Sequence, residues 1–454
     1  MTDAYVVEAI TRFEGRVKLQ GFKHSLMTVT AAALCSDAPV TIDNCPDNSQ
    51  MAALVAALRA IGAEAAFGDG RFTLDATTVA TADLPGPVCR EVHGLAYLLP
   101  ALVTRLGRAS LPPEGGCAIG DGPLGDRPIS QYAEVLSRFG AEVAITPDRT
   151  MTVTAGTLRG CEIDLRRFCR DPIAIAGPLH SGATKMAILC AALADGPSTL
   201  RHPYPKPDVV ELVAALAEMG ADIRYVDART IRAAGNGGTV LSKPLHHRLI
   251  TDLIQVVTWV CAGTVAGTGP LTMSLADPER VVEALAAEFE AFELMGASVT
   301  TGPREIVVRP VERLRPFDVR ATSYGVFSDS QPLLTLMATK ADGVSRIRDQ
   351  VWNGRFSHVA GLTALGCEVD VVGDTALVRG PRPPSRADVV VSARDLRAAA
   401  TLLIAGLCAP GRTTVHGVGH LARGYVDLVG DLRSLGATIH PSAPAAVAAG
   451  DAAP

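Results

Sequence analysis

One cysteine of this sequence lies where a thiol can do chemistry. Cys117 is in the segment EGGCAIGDG, a glycine-rich loop, whereas most of the other cysteines lie inside apolar segments and are expected to be reduced core thiols. Positive charge beside such a loop favours the thiolate and makes it nucleophilic. A simple turn has little use for an exposed reactive thiol, so we predict that Cys117 is catalytic.

The same region contains a literal GxGxxG pattern at Gly120, Gly122 and Gly125. Pro123 inside the pattern and the antiparallel-looking strands downstream fit a dinucleotide-binding fold poorly, so we interpret the segment as a lid loop that closes over substrate. The sequence contains no P-loop, Ser/His/Asp triad, CxxC pair or His/Cys cluster. We therefore expect no cofactor, no bound metal and no disulfide.

Composition limits the classes of partner. The formal net charge of −5 provides no basic field for nucleic acid, and an aromatic content of 4% leaves few rings for base stacking. An anionic substrate must then be held by a few local arginines.

Asp3 and Glu8 occupy the start where a signal peptide needs basic and apolar residues, and Gln255 and Thr258 interrupt the longest apolar run. We expect a cytoplasmic protein without nucleic-acid or membrane partners.

A phrase of helix end, glycine and strand recurs six times along the 454 residues. Successive glycines are 78, 80, 76, 70 and 70 residues apart, which is too regular for chance and too long for a solenoid repeat. In each phrase a helix ends at the glycine, which can adopt the left-handed conformation, and an alternating strand follows. The six glycines are Gly62, Gly140, Gly220, Gly296, Gly366 and Gly436.

Each repeat also contains a second helix, rich in Ala and Leu, that is apolar on all sides. Examples are AILCAALADG and LLIAGLCAPG. A helix without a polar face belongs in an interior, so we predict α/β units with these helices buried centrally and the sheets outside. The alternative is an ordinary doubly wound sheet, which would need apolar strands and amphipathic helices.

Six such units in two groups of three resemble the enolpyruvyl transferase family. LQGFKHS resembles the family's glycine-any-lysine-asparagine start, and PEGGCAIG resembles the cysteine loop of its members that act on UDP-N-acetylglucosamine. RPISQYAEVLSRFGAE, WNGRFSH, DLRAAATLLIAG and GHLARGYVDL follow in the family's order. EPSP synthases share the fold but lack the cysteine loop. The resemblance implies a two-domain inside-out α/β barrel built from six βαβαββ-like units.

The family reaction adds an acceptor hydroxyl to C2 of phosphoenolpyruvate while C3 gains a proton, and then expels phosphate. It needs an acid, a base and a cage for anions. By resemblance, Cys117 is the acid, Asp329 in SYGVFSDSQ is the base that faces the acceptor hydroxyl, and Lys23 is a catalytic residue. Taken alone, an aspartate in such a phrase is more often a helix N-cap.

Resemblance also assigns a set of substrate-binding residues. Guanidinium groups suit the cage because they form bidentate hydrogen bonds with carboxylate or phosphate. Each arginine taken alone would usually be a surface residue. Arg90 matches the family's anion-binding arginine only if a gap is allowed. The set consists of His24, Arg90, Arg127, Ser181, Gly182, Arg355, Arg397 and Arg423.

Departures from the family pattern fall mainly where the acceptor binds. The family's lysine-asparagine pair is Lys23-His24 here, and its nucleotide-contacting aspartate and histidine are Ser130 and Tyr132. Its diphosphate-binding lysine, serine, valine and glycine correspond to Pro178, His180, Ser181 and Gly182, which removes a phosphate partner.

These departures leave two acceptors open, UDP-N-acetylglucosamine and UMP. The second is used by a branch of the family in nucleoside-antibiotic pathways, which transfers enolpyruvyl to the 3′-hydroxyl. A third hypothesis is a nucleotide-binding paralogue without activity. The presence of Cys117, Asp329 and the arginines together argues against it.

We expect two domains with the site between them. The first spans residues 23–245 and carries the cysteine loop, and the second combines residues 1–22 with 246–440. The Ala/Pro-rich tail 441–454 is predicted to be disordered. The expected partners are small molecules, phosphoenolpyruvate and a uridine nucleotide.

Overall fold

A computed structural model describes residues 3–116, 119 and 129–442. The predicted site residues Cys117 and Arg127, the three glycines of the lid-loop pattern, and residues 443–454 of the predicted tail lie outside the described residues.

Fourteen α-helices are present in the described part of the chain. They are α1 (Lys23–Leu34), α2 (Ser49–Ala60), α3 (Gly86–Cys89), α4 (Leu99–Leu106), α5 (Ser130–Arg138), α6 (Pro178–Leu193), α7 (Pro207–Glu218), α8 (Leu253–Val265), α9 (Pro278–Ala284), α10 (Ala286–Met295), α11 (Gln331–Ala338), α12 (Ser357–Ala364), α13 (Leu396–Cys408) and α14 (Leu428–Ser434). Short 3-10 helices cover Leu95–Leu98, Leu165–Phe168 and Val418–Arg423.

Twenty-three strands accompany them. They are β1 (Ala4–Glu8), β2 (Gly15–Lys18), β3 (Val40–Asp43), β4 (Glu64–Gly68), β5 (Arg71–Asp75), β6 (Arg108–Leu111), β7 (Glu142–Ile145), β8 (Met151–Thr154), β9 (Glu162–Asp164), β10 (Ser198–Arg201), β11 (Ile223–Asp227), β12 (Thr230–Ala233), β13 (Leu245–Arg248), β14 (Leu271–Ser274), β15 (Ser298–Thr301), β16 (Glu305–Arg309), β17 (Asp318–Ala321), β18 (Gly343–Asp349), β19 (Glu368–Val372), β20 (Thr375–Gly380), β21 (Val389–Ser392), β22 (Arg412–His416) and β23 (Ile439–Pro441).

The strands form separate small sheets, with strand orders β13-β3-β5-β4, β6-β8-β7, β11-β12-β10-β9, β15-β16-β14-β2, β17-β18-β20-β19 and β21-β22-β1-β23. Each four-stranded sheet contains one parallel pair, such as β17 with β18, and is otherwise antiparallel. One continuous doubly wound sheet would place parallel strands side by side throughout, so that alternative is excluded.

The glycine of every repeated phrase adopts a positive φ, between 81° and 110°. In each case a helix ends just before it and a strand begins just after it. Residues with a Cβ rarely adopt this conformation, which is why glycine recurs at the same point in each phrase. The predicted helix end and strand start are confirmed at each of these glycines.

The apolar helices are buried along most of their length. Residues 253–264 of α8, 331–338 of α11 and 396–407 of α13 are all buried. Strands such as β5 and β20 alternate between buried residues and more exposed ones. A helix without a polar face and a strand with one apolar face pack together in this way because each removes apolar surface from water.

Two hydrophobic cores result. One draws its buried residues from positions 26–249, and the other from positions 7–22 and 250–439. β1 and β2 pair with β22 and β14, so the start of the chain belongs with the second core. Pro441 pairs with Tyr5 at the end of β23, so the sheet extends one residue into the predicted tail.

Candidate active site

A cleft between the two cores is lined by residues from both. The first core's part of the chain contributes Lys23, His24, His93, Tyr97, Gln131, Tyr132, Ser181, Gly182, Lys185, Tyr204 and Asp208, and the second contributes Ser328, Asp329, Trp352, Arg355, Asp395, Arg397 and Arg423. Gly116 and Ile119, on either side of Cys117 in the sequence, also line it. The cleft therefore gathers most of the described residues that the sequence assigned to a site.

Asp329 lies at the centre of one wall, between two guanidinium groups. Arg355 Nη2 donates to its Oδ1 over 2.6 Å, while Arg397 donates to its Oδ2 from Nη2 over 3.0 Å and from Nε over 3.1 Å. Burial acts to raise the pKa of Asp329, but the two arginines outweigh it and hold this pKa well below its ordinary value. Asp329 is therefore ionised and strongly held.

Local structure fixes both arginines. Arg397 is in the first turn of α13, where the N-cap Asp395 accepts hydrogen bonds from the backbone N–H groups of Arg397 and Ala398. Arg355 Nη1 donates to Ser328 Oγ over 2.9 Å, and Ser328 in turn donates to Asp349. Neighbours that hold a side chain in place reduce the reorganisation needed when a ligand binds.

Three arginines on this wall retain unused donors. Arg355 Nε, Arg397 Nη1 and Arg423 Nη1 are buried and have no hydrogen-bond partner among the described residues. A buried N–H without an acceptor costs free energy, and an anion bound in the cleft would supply acceptors. We refer to Asp329, Arg355, Arg397 and Arg423 as the arginine side.

Lys23 and His24 begin helix α1 and line the same cleft as the arginine side. His24 Nε2 is 3.8 Å from Asp329 Oδ2, and the imidazole ring lies 5.0 Å from the ring of Phe22, measured between centroids. Enclosure in the cleft lowers the pKa of His24, and the nearby Asp329 carboxylate offsets part of that effect. The α1 terminus and Lys23 together provide positive potential for an anion.

The opposite wall is built from aromatic rings and one ion pair. Tyr97 and Tyr132 meet edge to face with centroids 5.9 Å apart, and Lys185 Nζ is 2.5 Å from Asp208 Oδ2 and 5.6 Å from the Tyr97 ring. Gly182 is packed so closely that a Cβ there would lie 2.9 Å from the Tyr132 ring. Together with Gln131, these five residues form what we call the tyrosine side.

Unused groups on the tyrosine side are hydrogen-bond acceptors. Gln131 Oε1 and Asp208 Oδ1 are buried and have no partner among the described residues. They suit the N–H and O–H groups of a ligand rather than its anionic oxygens. Sequence reasoning missed Lys185, Asp208 and Gln131, although a lone lysine four residues after Ser181 in an otherwise apolar helix is a signal that could have found Lys185.

Arg90, which was assigned to the site, and His180, which replaces a family phosphate ligand, do not line the cleft. Arg90 is exposed at the end of α3 and does not line the cleft. His180, at the position of a family phosphate ligand, is fully buried; its Nε2 is 2.8 Å from the His202 carbonyl oxygen and its Nδ1 is 2.9 Å from Ser323 Oγ. His180 therefore joins the two halves of the chain instead of facing the cleft.

Within the described ranges, no group of three or more His, Cys, Asp or Glu side chains is placed to hold a metal ion. The cysteines at positions 35, 45, 89, 161, 169, 190, 261, 367 and 408 are all free thiols. None of the helices described is both long and apolar enough to cross a membrane.

Comparison with known proteins gives consistent matches over almost the full length. A family model described as EPSP synthase (3-phosphoshikimate 1-carboxyvinyltransferase) matches residues 7–432. A UDP-N-acetylglucosamine 1-carboxyvinyltransferase from Chlorobium phaeovibrioides is 32% identical over 441 residues, covering 96% of this chain and 98% of that protein. One from Anaeromyxobacter sp. strain K is 34% identical over 444 residues, covering 96% and 99%.

Solved structures agree. The crystal structure of the enolpyruvyl transferase NikO from Streptomyces tendae matches with a TM-score of 0.92 at 42% identity, covering 98% of this chain and 100% of that one. An EPSP synthase from Acinetobacter baumannii matches with a TM-score of 0.72 at 18% identity, which shows a shared fold.

Proposed function

The chain belongs to the EPSP synthase family of enolpyruvyl (carboxyvinyl) transferases, and we propose that it transfers the enolpyruvyl group of phosphoenolpyruvate to a hydroxyl of a uridine nucleotide, releasing phosphate. The resemblance read from the motifs is thus confirmed, and the chain is a transferase with a two-domain α/β fold. The choice of acceptor and the residue roles given below are part of the proposal.

For the architecture, we propose six βαβαββ-like units in two inside-out barrels. The small sheets, the buried apolar helices and the two cores support this arrangement. We place one domain at residues 23–245 and the other at 1–22 with 246–440. The change of core between Leu249 and Ile250 lies four residues beyond the proposed boundary.

The observation that carries the proposed reaction is the arginine side with its unused donors. Phosphoenolpyruvate bears a carboxylate and a phosphate. Three guanidinium groups whose buried N–H atoms have no partner among the described residues, together with Lys23 at a helix start, offer matching donors. Such preorganised donors stabilise charge that develops on the substrate oxygens as the tetrahedral intermediate forms and collapses. This part of the cleft is the proposed phosphoenolpyruvate subsite.

The remaining roles follow the family pattern. Cys117 supplies the proton to C3, Asp329 faces the acceptor hydroxyl as the candidate base, and Arg127 joins the cage. Ser181 and Gly182, in the first turns of α6, contact the acceptor. Gly116 and Ile119 line the cleft, which supports a role for the segment between them.

Two acceptors fit the family, UDP-N-acetylglucosamine and UMP, and the tyrosine side favours UMP. Its one lysine is already neutralised by Asp208, His180 is turned away, and the buried groups left unpaired are acceptors. A diphosphate needs more cationic partners than these residues provide, whereas the imide and hydroxyl groups of a nucleoside match Gln131 and Asp208.

Phosphate release from phosphoenolpyruvate, with the two acceptors offered separately, tests the proposal. We expect turnover with UMP that Cys117→Ala abolishes, together with a phosphoenolpyruvate-dependent adduct on Cys117 in the intact enzyme. Turnover with UDP-N-acetylglucosamine alone would overturn the preference for UMP. If neither acceptor gave phosphate release and no adduct formed on Cys117, the result would favour the inactive paralogue.

A further inference from the structure

Asp329 is a poor acceptor for a proton by itself. Both of its oxygens accept hydrogen bonds from guanidinium groups, with N···O distances of 2.6–3.1 Å. General bases work best when their pKa lies near the working pH, and a carboxylate held by two cations lies far below it. The acceptor hydroxyl must nevertheless lose its proton when its oxygen bonds to C2, and a second proton acceptor near Asp329 would make this transfer easier.

His24 occupies the required place. Its Nε2 lies 3.8 Å from Asp329 Oδ2, close enough for a hydroxyl oxygen to contact both atoms at hydrogen-bond distance. Its side chain is 40% exposed and lines the cleft, so a ligand can reach the ring. The backbone of α1 and the contact with Phe22 fix the orientation of the imidazole.

The charges around His24 come from three elements. Lys23 is beside it on α1, Asp329 faces it from the segment before α11, and Asp208 acts on it from the first turn of α7. Lys185 pairs with Asp208, and the two arginines pair with Asp329. The ring is therefore neutral and able to accept a proton at neutral pH, and the two carboxylates stabilise the imidazolium that forms.

We propose that His24 is a proton-accepting catalytic residue and that it acts as a pair with Asp329. This inference rests on the enolpyruvyl transfer proposed above. As the acceptor oxygen bonds to C2, its proton passes to the pair and comes to rest on His24 Nε2, while the acid delivers a proton to C3. On collapse, the deprotonated acid takes a proton back from C3, the C2–O bond to phosphate breaks, and the His24 proton leaves with the phosphate.

His24→Asn tests the proposal, because an amide can still form hydrogen bonds but cannot take up a proton at neutral pH. We expect kcat to fall by about 10²-fold or more, with the KM for phosphoenolpyruvate changed by less than about threefold. Wild-type kcat/KM should decline as the pH falls through the pKa of His24, below 6.5, and this decline should be absent in the variant. His246→Asn, an exposed histidine on β13, is the matched control and should behave as wild type.

A second measurement does not depend on turnover. Nitrogen NMR of the full-length protein follows the titration of the His24 ring directly, and Asp329→Asn should lower its pKa by removing an anionic partner. The proposal would be overturned if His24→Asn had the kcat and the pH profile of the wild type. It would also be overturned if Asp329→Asn left the pKa of the His24 ring unchanged. Failure of the proposed reaction would instead appear as inactivity of the wild type.

Discussion

The two walls of the cleft satisfy their polar groups in opposite ways. On the arginine side, Arg355, Arg397 and Arg423 retain buried N–H groups without partners in the described structure, although Asp329 accepts from the first two. On the tyrosine side, the cation Lys185 is paired, and the unpaired atoms are oxygens of Gln131 and Asp208. One wall thus offers donors to an anion, and the other offers acceptors to the N–H and O–H groups of a ligand.

This difference explains where the sequence departs from its family. The proposed phosphoenolpyruvate subsite would require fixed positive charge whatever the acceptor is, which accounts for arginines that match the family motifs. The proposed acceptor wall could change its chemistry without altering the reaction, because only the position of the acceptor hydroxyl relative to the proposed Asp329–His24 pair would have to be kept. The following substitutions test each wall and the His180 contact between the two halves of the chain.

The largest effect is expected on the arginine side. Arg397→Lys keeps a positive charge but loses the planar fork that holds Asp329 and the spare Nη1 donor. We expect kcat/KM for phosphoenolpyruvate to fall by about 10²- to 10³-fold, measured by phosphate release. Arg346→Lys, an exposed arginine paired with Asp318, is the control. Activity within a factor of three of wild type would show that charge alone suffices.

The contact that joins the two halves should respond to pH. Burial lowers the pKa of His180 to about 4, and the hydrogen bond between Nε2 and the His202 carbonyl offsets only part of this effect. The unfolded chain binds this proton from pH 6.5 downward, so His180 reduces stability as the pH falls from 6.5 to about 4.

The expected loss is about 3 kcal/mol of the free energy of unfolding over that range. It is measured by urea denaturation at several pH values, with His180→Asn compared against wild type. The variant should be less stable at pH 7.5 and should lack this share of the pH dependence. If the free energy of unfolding changed with pH in the same way in both proteins, His180 would be excluded as a source of acid sensitivity.

The smallest effect is expected on the tyrosine side. Gly182→Ala places a methyl group about 2.9 Å from the Tyr132 ring, so the ring must shift, and both residues line the part of the cleft proposed for the acceptor. We expect the KM for the uridine nucleotide to rise about tenfold, equivalent to about 1.4 kcal/mol, with the KM for phosphoenolpyruvate unchanged. Gly156→Ala, where a Cβ meets open space, is the control. Equal effects on both substrates would contradict the division of the cleft into two subsites.

Much of the fold was accessible from the sequence. The phrase glycines, the alternating strands and the apolar helices predicted where helices end, where strands begin and which helices are buried, and those elements are present. The arginines and Asp329 of the site could be named from motifs. Cys117 and Arg127, beyond the described residues, keep the roles proposed for them.

Other parts of the site could not be read from the sequence. Arg90, which was assigned to the cage through a gapped match, is exposed at the end of α3 and does not line the cleft. The Lys185–Asp208 pair joins residues from two helices that become neighbours only when α6 and α7 pack. Local spacing could have pointed to Lys185, but not to its pairing with Asp208 on another helix.

The sequence by itself determined the repeated elements and the residue types available for chemistry, because left-handed glycines and apolar periodicity act over a few residues. Tertiary structure decided which groups meet. Arg355 and Arg397 reach Asp329 across 26 and 68 residues of chain, and His24 reaches it from the other half of the molecule. Proton affinities depend on those meetings, since burial and neighbouring charge set a pKa and neither is a property of a single residue.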